Sequence, residues 1–223
     1  MKKILLVEDH AIVRLATRFL ILDLLNPVVV HEAGSFSETL SQLAGNQIDL
    51  VILDINIPDG EGFNMIPKIR EIQPKVLILI FSSLEEEIYA LHYIKAGANG
   101  FLSKNASQDE IKKAILSMLE AGNYISTAVQ QQLLRNTLEN KPNGENPLEY
   151  LSQRELEVMD MLIEGYWTKE IAIKLNLTES SVSTYKARIF EKLKVNTLIE
   201  MFKKSPVLQK PEPGDLSPGK LPF

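Results

Sequence analysis

Five short apolar runs, KILLV (3–7), VVV (28–30), LVILD (50–54), VLILIF (76–81) and GFL (100–102), recur through the first 122 residues. They are continuous rather than alternating, which means burial on both faces and therefore a parallel sheet with right-handed crossovers and helices on each side. The segments between them carry apolar residues at helical spacing, as in Ile12, Leu15, Ala16 and Phe19, or Ile111, Ala114, Ile115 and Met118, and these faces are expected to pack on the sheet. Capping-box spacing at Ser35 with Glu38 and at Ser107 with Glu110 marks helix starts independently. The fold class is α/β, a doubly wound five-stranded parallel sheet over residues 1–122.

A different pattern follows. Residues 123–147 read as a helical linker that ends in the polar, turn-rich ENKPNGENP. Residues 148–204 offer no convincing strand, but capping boxes at Ser152 with Glu155 and Thr197 with Glu200, a helix end at Gly165 and a turn at Asn176 predict a small all-α domain. The last stretch, 205–223, is proline-rich without periodicity and is expected to have no fold of its own. A length of 223 residues suits two modest domains. With no cysteine, disulfides, thiolate metal sites and thiol nucleophiles are excluded, and a reducing cytoplasm is the simplest setting. The start MKKILLV mimics a signal peptide, but Glu8, Asp9, His10 and Arg14 cut the apolar run short, so no membrane segment is expected. A net charge of −5 argues against a wholly basic nucleic-acid coat, though not against a basic patch on one domain.

Open parallel sheets bind ligands beyond the carboxyl ends of their strands. The first run ends in Glu8 and Asp9, the third in Asp54, the fourth in Ser82 and Ser83, and the fifth is followed by Lys104. Converging carboxylates repel unless a cation joins them, and an all-oxygen set suits Mg²⁺ far better than zinc or copper. A hydroxyl and an ammonium opposite a metal-bound carboxylate are what a phosphoryl group needs. Asp54, central and followed by the Pro58–Gly60 turn, is the best-placed nucleophile for phosphoryl capture. Each residue alone has a plainer use: Glu8 and Asp9 as helix caps, Ser82 in a turn, Lys104 as a solvated charge.

Together, Glu8-Asp9, Asp54, IPDGEG, Ser82, Phe101 and Lys104 resemble the receiver domain of two-component response regulators across residues 1–122. The resemblance implies a flavodoxin-like receiver, Asp54 as phospho-acceptor, and Mg²⁺ held by Glu8, Asp9, Asp54 and the backbone carbonyl of Asn56. It further implies Ser82 and Phe101 as switch residues, Lys104 as the phosphate-pairing lysine, and a sensor histidine kinase or small phosphodonor as the phosphoryl source. Ile57 departs from the methionine usual before the proline. Leu84 offers no polar group to guide hydrolytic water, so a long phosphorylated lifetime is expected.

Charge in the second domain is uneven. Residues 148–164 hold one base against five acids, whereas 165–204 hold eight bases against four acids. On a helix beginning after Thr178, Val182, Tyr185, Ile189 and Leu193 share one face, and Ser180, Ser183, Thr184, Ala187 and Arg188 fall opposite, flanked by Lys186 and Lys192. Small polar residues with an arginine suit base edges, and the flanking lysines suit phosphates; a helix bundle with a solvated basic face fits the charge equally well. LSQRELEV, Gly165, KEIA, SSV (180–182) and KL (192–193) then resemble the LuxR/NarL-type helix-turn-helix domain over residues 150–202. The resemblance implies double-stranded DNA as partner, read by the helix from about 179 to 193, a backbone contact from Lys169, and homodimerisation through LIEMFKK. Trp167, Tyr185 and Ser183 depart from the pattern, and Trp167 is expected in the core.

The reading is a DNA-binding transcriptional response regulator, not an enzyme, in which phosphorylation of Asp54 controls dimerisation and promoter binding. Two rivals stay open: a Mg²⁺-dependent phosphohydrolase with a helical lid, and a protein-binding adaptor that never touches DNA. No dinucleotide, phosphate-loop or Gly-x-Ser-x-Gly motif is present.

Overall fold

The computed structural model describes residues 1–138, 148 and 151–204. The polar part of the expected linker, 139–147, residues 149 and 150, and the tail, 205–223, lie outside that description.

Strands β1 (Lys2–Val7), β2 (Val28–Ala33), β3 (Leu50–Leu53), β4 (Leu77–Ser82) and β5 (Gly100–Ser103) form one parallel sheet in the order β2-β1-β3-β4-β5. The strand order reverses between β1 and β3, which opens a crevice at their carboxyl ends. Side-chain alternation then divides the apolar runs. Ile4, Leu6, Leu50, Ile52, Leu79 and Phe81 share a cluster with Ile21, Ala114, Ile115 and Met118 from α1 (Ala11–Leu24) and α5 (Gln108–Ala121). Leu5, Val7, Val51, Leu53, Ile78 and Ile80 pack on the other side, under α2 (Phe36–Gly45), α3 (Met65–Ile72) and α4 (Glu86–Lys95). Each such burial stabilises by about 1.5–3 kcal/mol, and central strands collect it on both faces.

One expectation about α1 is overturned. Ile12, Leu15 and Phe19 face solvent, and the helix packs inward through Thr17, Ile21, Val13, Leu20 and Leu24. The helix has two apolar stripes, and periodicity does not choose between them. The capping-box expectations hold in part. Ser35, Ser107 and Thr197 each accept the backbone N–H three residues on, but Glu38 turns to the Gly34 N–H, Glu110 to the Tyr124 hydroxyl and Glu200 to the Asn196 N–H. Only at Ser152 and Glu155 are both halves of the box made.

After α5 the chain passes Tyr124, which bridges to Gly100, and forms α6 (Thr127–Leu138). The second domain consists of α7 (Gln153–Ile163), α8 (Thr168–Lys174), α9 (Glu179–Leu193) and α10 (Leu198–Lys204). Leu156, Met159, Ile171, Val182, Ile189, Leu193 and Met201 are its buried centre. Gly165 (φ 89°) ends α7, and Asn176 (φ 53°) makes the turn between α8 and α9; both backbones are left-handed, where glycine and asparagine cost least. Trp167 corrects a further expectation: it caps α8 at 78% exposure rather than entering the core. Ile171 and Ala172 occupy the space beneath α8, and the ring is left on the rim. Among the described residues no helix is long and apolar enough to cross a membrane.

Candidate functional site

β3 delivers Asp54 to the crevice because its backbone N–H still bonds Val7 O of β1 at 3.0 Å, so the strand pairing runs to the acid itself. Asp54 is 2% exposed, and its two oxygens have different partners. Oδ1 accepts from the Asn56 N–H at 3.1 Å, and Oδ2 accepts from the Lys104 ammonium at 2.8 Å. The turn behind it is tight. Asp59 is left-handed (φ 59°), the Gly60 N–H bonds Ile57 O, and a Cβ on Gly60 would meet that same oxygen at 2.9 Å. The Pro-Gly turn is thus a steric requirement of bringing the chain away from a buried acid.

Glu8 and Asp9, at the end of β1, stand beside Asp54. Lys104 reaches Glu8 Oε2 at 2.5 Å, so a single ammonium joins two buried carboxylates from different strands. Burial alone would lower the Lys104 pKa, but hydrogen bonds and charge from Asp54 and Glu8 outweigh it and hold the ammonium above the ordinary lysine value. Donor atoms of Glu8, Asp9, His10 and Asp54 lie within 4.8 Å of one another. Glu8 Oε2 and Asp9 Oδ1 are buried and touched by the Lys104 ammonium and the His10 ring, yet neither receives a hydrogen bond of good geometry. Buried oxygens left this way, on hard carboxylate donors, fit a hard divalent cation. His10 was not anticipated as a member of this group. Its ring contacts Asp9 Oδ1 at 2.8 Å and Glu8 Oε1 at 3.2 Å, and its place directly after the acidic pair was the available signal. Asn56 lies against Asp54 through its N–H.

Ser82 is fully buried at the end of β4, where its Oγ accepts from the Leu84 N–H and its carbonyl accepts from the Lys104 N–H. Hydroxyl and lysine are therefore tied to the same two strand ends. Phe101 is buried on β5, its ring 5.9 Å from that of Tyr93 on α4. Tyr93 in turn stacks on Phe63 with centroids 4.0 Å apart.

That aromatic row ends at the second domain. The Tyr89 hydroxyl of α4 donates to Asp160 Oδ1 of α7 at 2.5 Å, and the Phe63 N–H donates to the Glu157 carboxylate. A cavity of about 500 Å³ lies between the two domains, lined among others by Asn56, Phe63, Tyr93, Asp160, Tyr166 and Lys174. This contact was not anticipated. Its partners are 71 residues apart, and no local pattern links them.

These contacts fall on α7, and the cavity lining reaches α8 at Lys174 but includes no residue of α9. Ser180, Ser183, Thr184, Ala187 and Arg188 are exposed on the outward face of α9, as is Lys169 on α8. Val182, Ile189 and Leu193 are buried beneath it. Lys186 is half-buried, with its ammonium 5.6 Å from the Phe190 ring centroid. Lys192 differs from the rest, because its ammonium is held by Glu155 at 2.6 Å.

Comparison with known proteins supports this two-part architecture. Residues 4–116 match the response regulator receiver domain, and residues 149–204 match the bacterial regulatory proteins of the luxR family. Response regulator UvrY of Escherichia coli is 32% identical over 201 residues, covering 90% of this chain and 92% of that protein. Fimbriae Z protein of Salmonella typhimurium is 33% identical over 198 residues, with 89% and 93% covered. Oxygen regulatory protein NreC of Staphylococcus carnosus is 30% identical over 204 residues, with 89% and 94% covered. Among solved structures, RcsB of Salmonella enterica bound to a promoter with a phosphomimetic has the same fold, with TM-score 0.74 and 24% identity over 91% of this chain and 97% of that one. The chain therefore belongs to the LuxR-family two-component response regulators, transcription regulators that join a receiver domain to a DNA-binding helix-turn-helix.

Proposed function

We propose that Asp54 accepts a phosphoryl group from a sensor histidine kinase, with Mg²⁺ held by Glu8, Asp9, Asp54 and the carbonyl of Asn56, and that this controls dimerisation and promoter binding. The domain division that goes with it is 1–122 for the receiver, 123–147 for the linker, 148–204 for the DNA-binding domain and 205–223 for a tail. The observation that carries the reading is the Lys104 ammonium bridging the buried Asp54 and Glu8 carboxylates in the strand-end crevice. An ammonium there can neutralise an acyl phosphate on Asp54, and a bound divalent ion would take over its charge at Glu8. Phosphorylation brings about two negative charges and three acceptor oxygens, which Lys104 and Ser82 are placed to satisfy. Ser180, Ser183, Thr184, Ala187 and Arg188 would meet base edges, and Lys169 and Lys186 phosphates; Lys192 could join them only by leaving Glu155. Two copies would read a two-fold related pair of half-sites.

The deciding experiment is intact mass after incubation with acetyl phosphate and Mg²⁺. Wild type is expected to gain one phosphoryl group and Asp54→Ala none. A gain that survives Asp54→Ala, or its absence in wild type, overturns the assignment. A salt-dependent gel shift with mixed-sequence DNA tests the other half.

A further inference from the structure

We propose that Tyr89 and Asp160 form a proton-dependent latch, which holds the DNA-binding domain against the α4 face of the receiver when Asp160 is protonated and releases it when Asp160 ionises. The proposal rests on the regulator reading above and adds the means by which the two domains are held. Its basis is geometric. Among the described residues, Tyr89–Asp160 is a side-chain hydrogen bond running directly from α4 to α7, at 2.5 Å, and the Tyr89 ring is fully buried.

The surroundings of Asp160 explain why a proton matters. Around the Tyr89–Asp160 pair stand Tyr93 and Glu85 from α4 and its N-terminal cap, Glu164 and Glu157 from the helix of Asp160 with Arg154 paired to Glu157, Glu61 from the turn before Phe63, and Lys174 from α8. Lys174 is the one cation of that cavity lining, and its ammonium sits 4.9 Å from the Tyr166 ring centroid. Burial foremost, with the charges of Glu164 and Glu157, pushes the Asp160 carboxyl up to about 7 against the opposing pull of the Tyr89 hydrogen bond. Opening the contact would return the carboxyl to water and to the ordinary aspartate range. The closed state thus binds the proton more tightly than the open one. Its advantage is full below the open-state value and is lost as pH rises through about 7.

Tyr93, on the same helix as Tyr89, is the middle of the row Phe101–Tyr93–Phe63, and Phe63 donates its N–H to Glu157 of α7. A change at the phosphorylation site that moves Phe101 or α4 therefore acts on the helix that carries Tyr89. The exposed face of α9 is not covered by the latch. What the latch restricts is the placement of that face relative to a second copy.

The absence of cysteine makes the test clean. Ser41→Cys on α2 and Asn196→Cys beyond α9, both exposed, carry a donor–acceptor dye pair in the full chain without phosphodonor. Energy transfer is read between about pH 6 and pH 8, where the closed-to-open ratio is expected to fall roughly ten-fold with rising pH. Asp160→Asn keeps an oxygen for Tyr89 and cannot ionise, so it is expected to stay closed throughout. Tyr89→Phe is expected to open at both ends of the range. Histidine is the ordinary titrating side chain in this window, which is why Asp160→Asn carries the test. A flat wild-type profile, or an Asp160→Asn variant that titrates like wild type, overturns the latch. Phosphoryl mass gain of the same proteins, measured separately with acetyl phosphate and Mg²⁺, distinguishes the two readings: gain with a flat profile sinks the latch alone, and no gain with a titrating profile sinks the phosphorylation reading alone.

Discussion

Replacing Lys104 by methionine tests the electrostatic core of the site. The substitution keeps an unbranched side chain of similar length and deletes the ammonium that touches Asp54 at 2.8 Å and Glu8 at 2.5 Å. Both carboxylates are nearly inaccessible, with side chains 3% and 1% exposed, so neither can turn to water for compensation. Removing one partner of a buried pair costs about 3–5 kcal/mol. The lysine side chain is itself 15% exposed, and solvent screening brings the expected loss toward roughly 2–3 kcal/mol. For a chain of this length that is a fall in Tm of about 4–12 °C. Urea and thermal unfolding at neutral pH with chelator would read it. Added Mg²⁺ should raise the variant more than wild type, because a divalent cation restores the missing charge. Asp54→Asn should destabilise the parent, whose lysine loses an anionic partner, yet stabilise Lys104→Met, where it removes one of two facing acids. An unchanged unfolding midpoint in Lys104→Met, or the same sign for Asp54→Asn in both backgrounds, would refute the reasoning.

Three further outcomes are expected. Lys169→Ala should lower the slope of log affinity against log salt by about one on any DNA sequence, whereas Lys192→Met should leave it nearly unchanged, because that ammonium is already paired with Glu155. For Glu155, burial raises the carboxyl, but hydrogen bonds from Lys192 and Ser152 outweigh it and hold it below the ordinary glutamate value. Its contribution to folding is present above the unfolded value and lost as pH falls through the folded one, so Lys192→Met should flatten the acid limb of a stability–pH profile. Leu84→Glu should shorten the phosphorylated lifetime by supplying the polar group that position lacks; equal decay rates by intact mass would dismiss that role.

Residue order settled most of the receiver. Continuous apolar runs such as VLILIF are satisfied between two helical layers, and an acid at the end of one of them, Asp54, marks the strand-end crevice. Local backbone chemistry was equally legible: the left-handed turns at Asn176 and Gly165 and the Ser152–Glu155 box rest on interactions within a few residues. The buried stripe of α9 also followed from spacing, since its opposite face is small and polar.

What local pattern could not decide was which of two admissible surfaces faces inward and which distant charge a side chain meets. α1 carries two apolar stripes, and the sheet selected Thr17 and Ile21 over Ile12 and Phe19. Trp167 remained on the rim because Ile171 and Ala172 had already filled the space under α8. Lys192 found Glu155 and Tyr89 found Asp160 across 37 and 71 residues. Periodicity is set by backbone geometry along one segment, whereas burial and charge pairing are set by which segments the whole chain brings together; only the second required the tertiary structure.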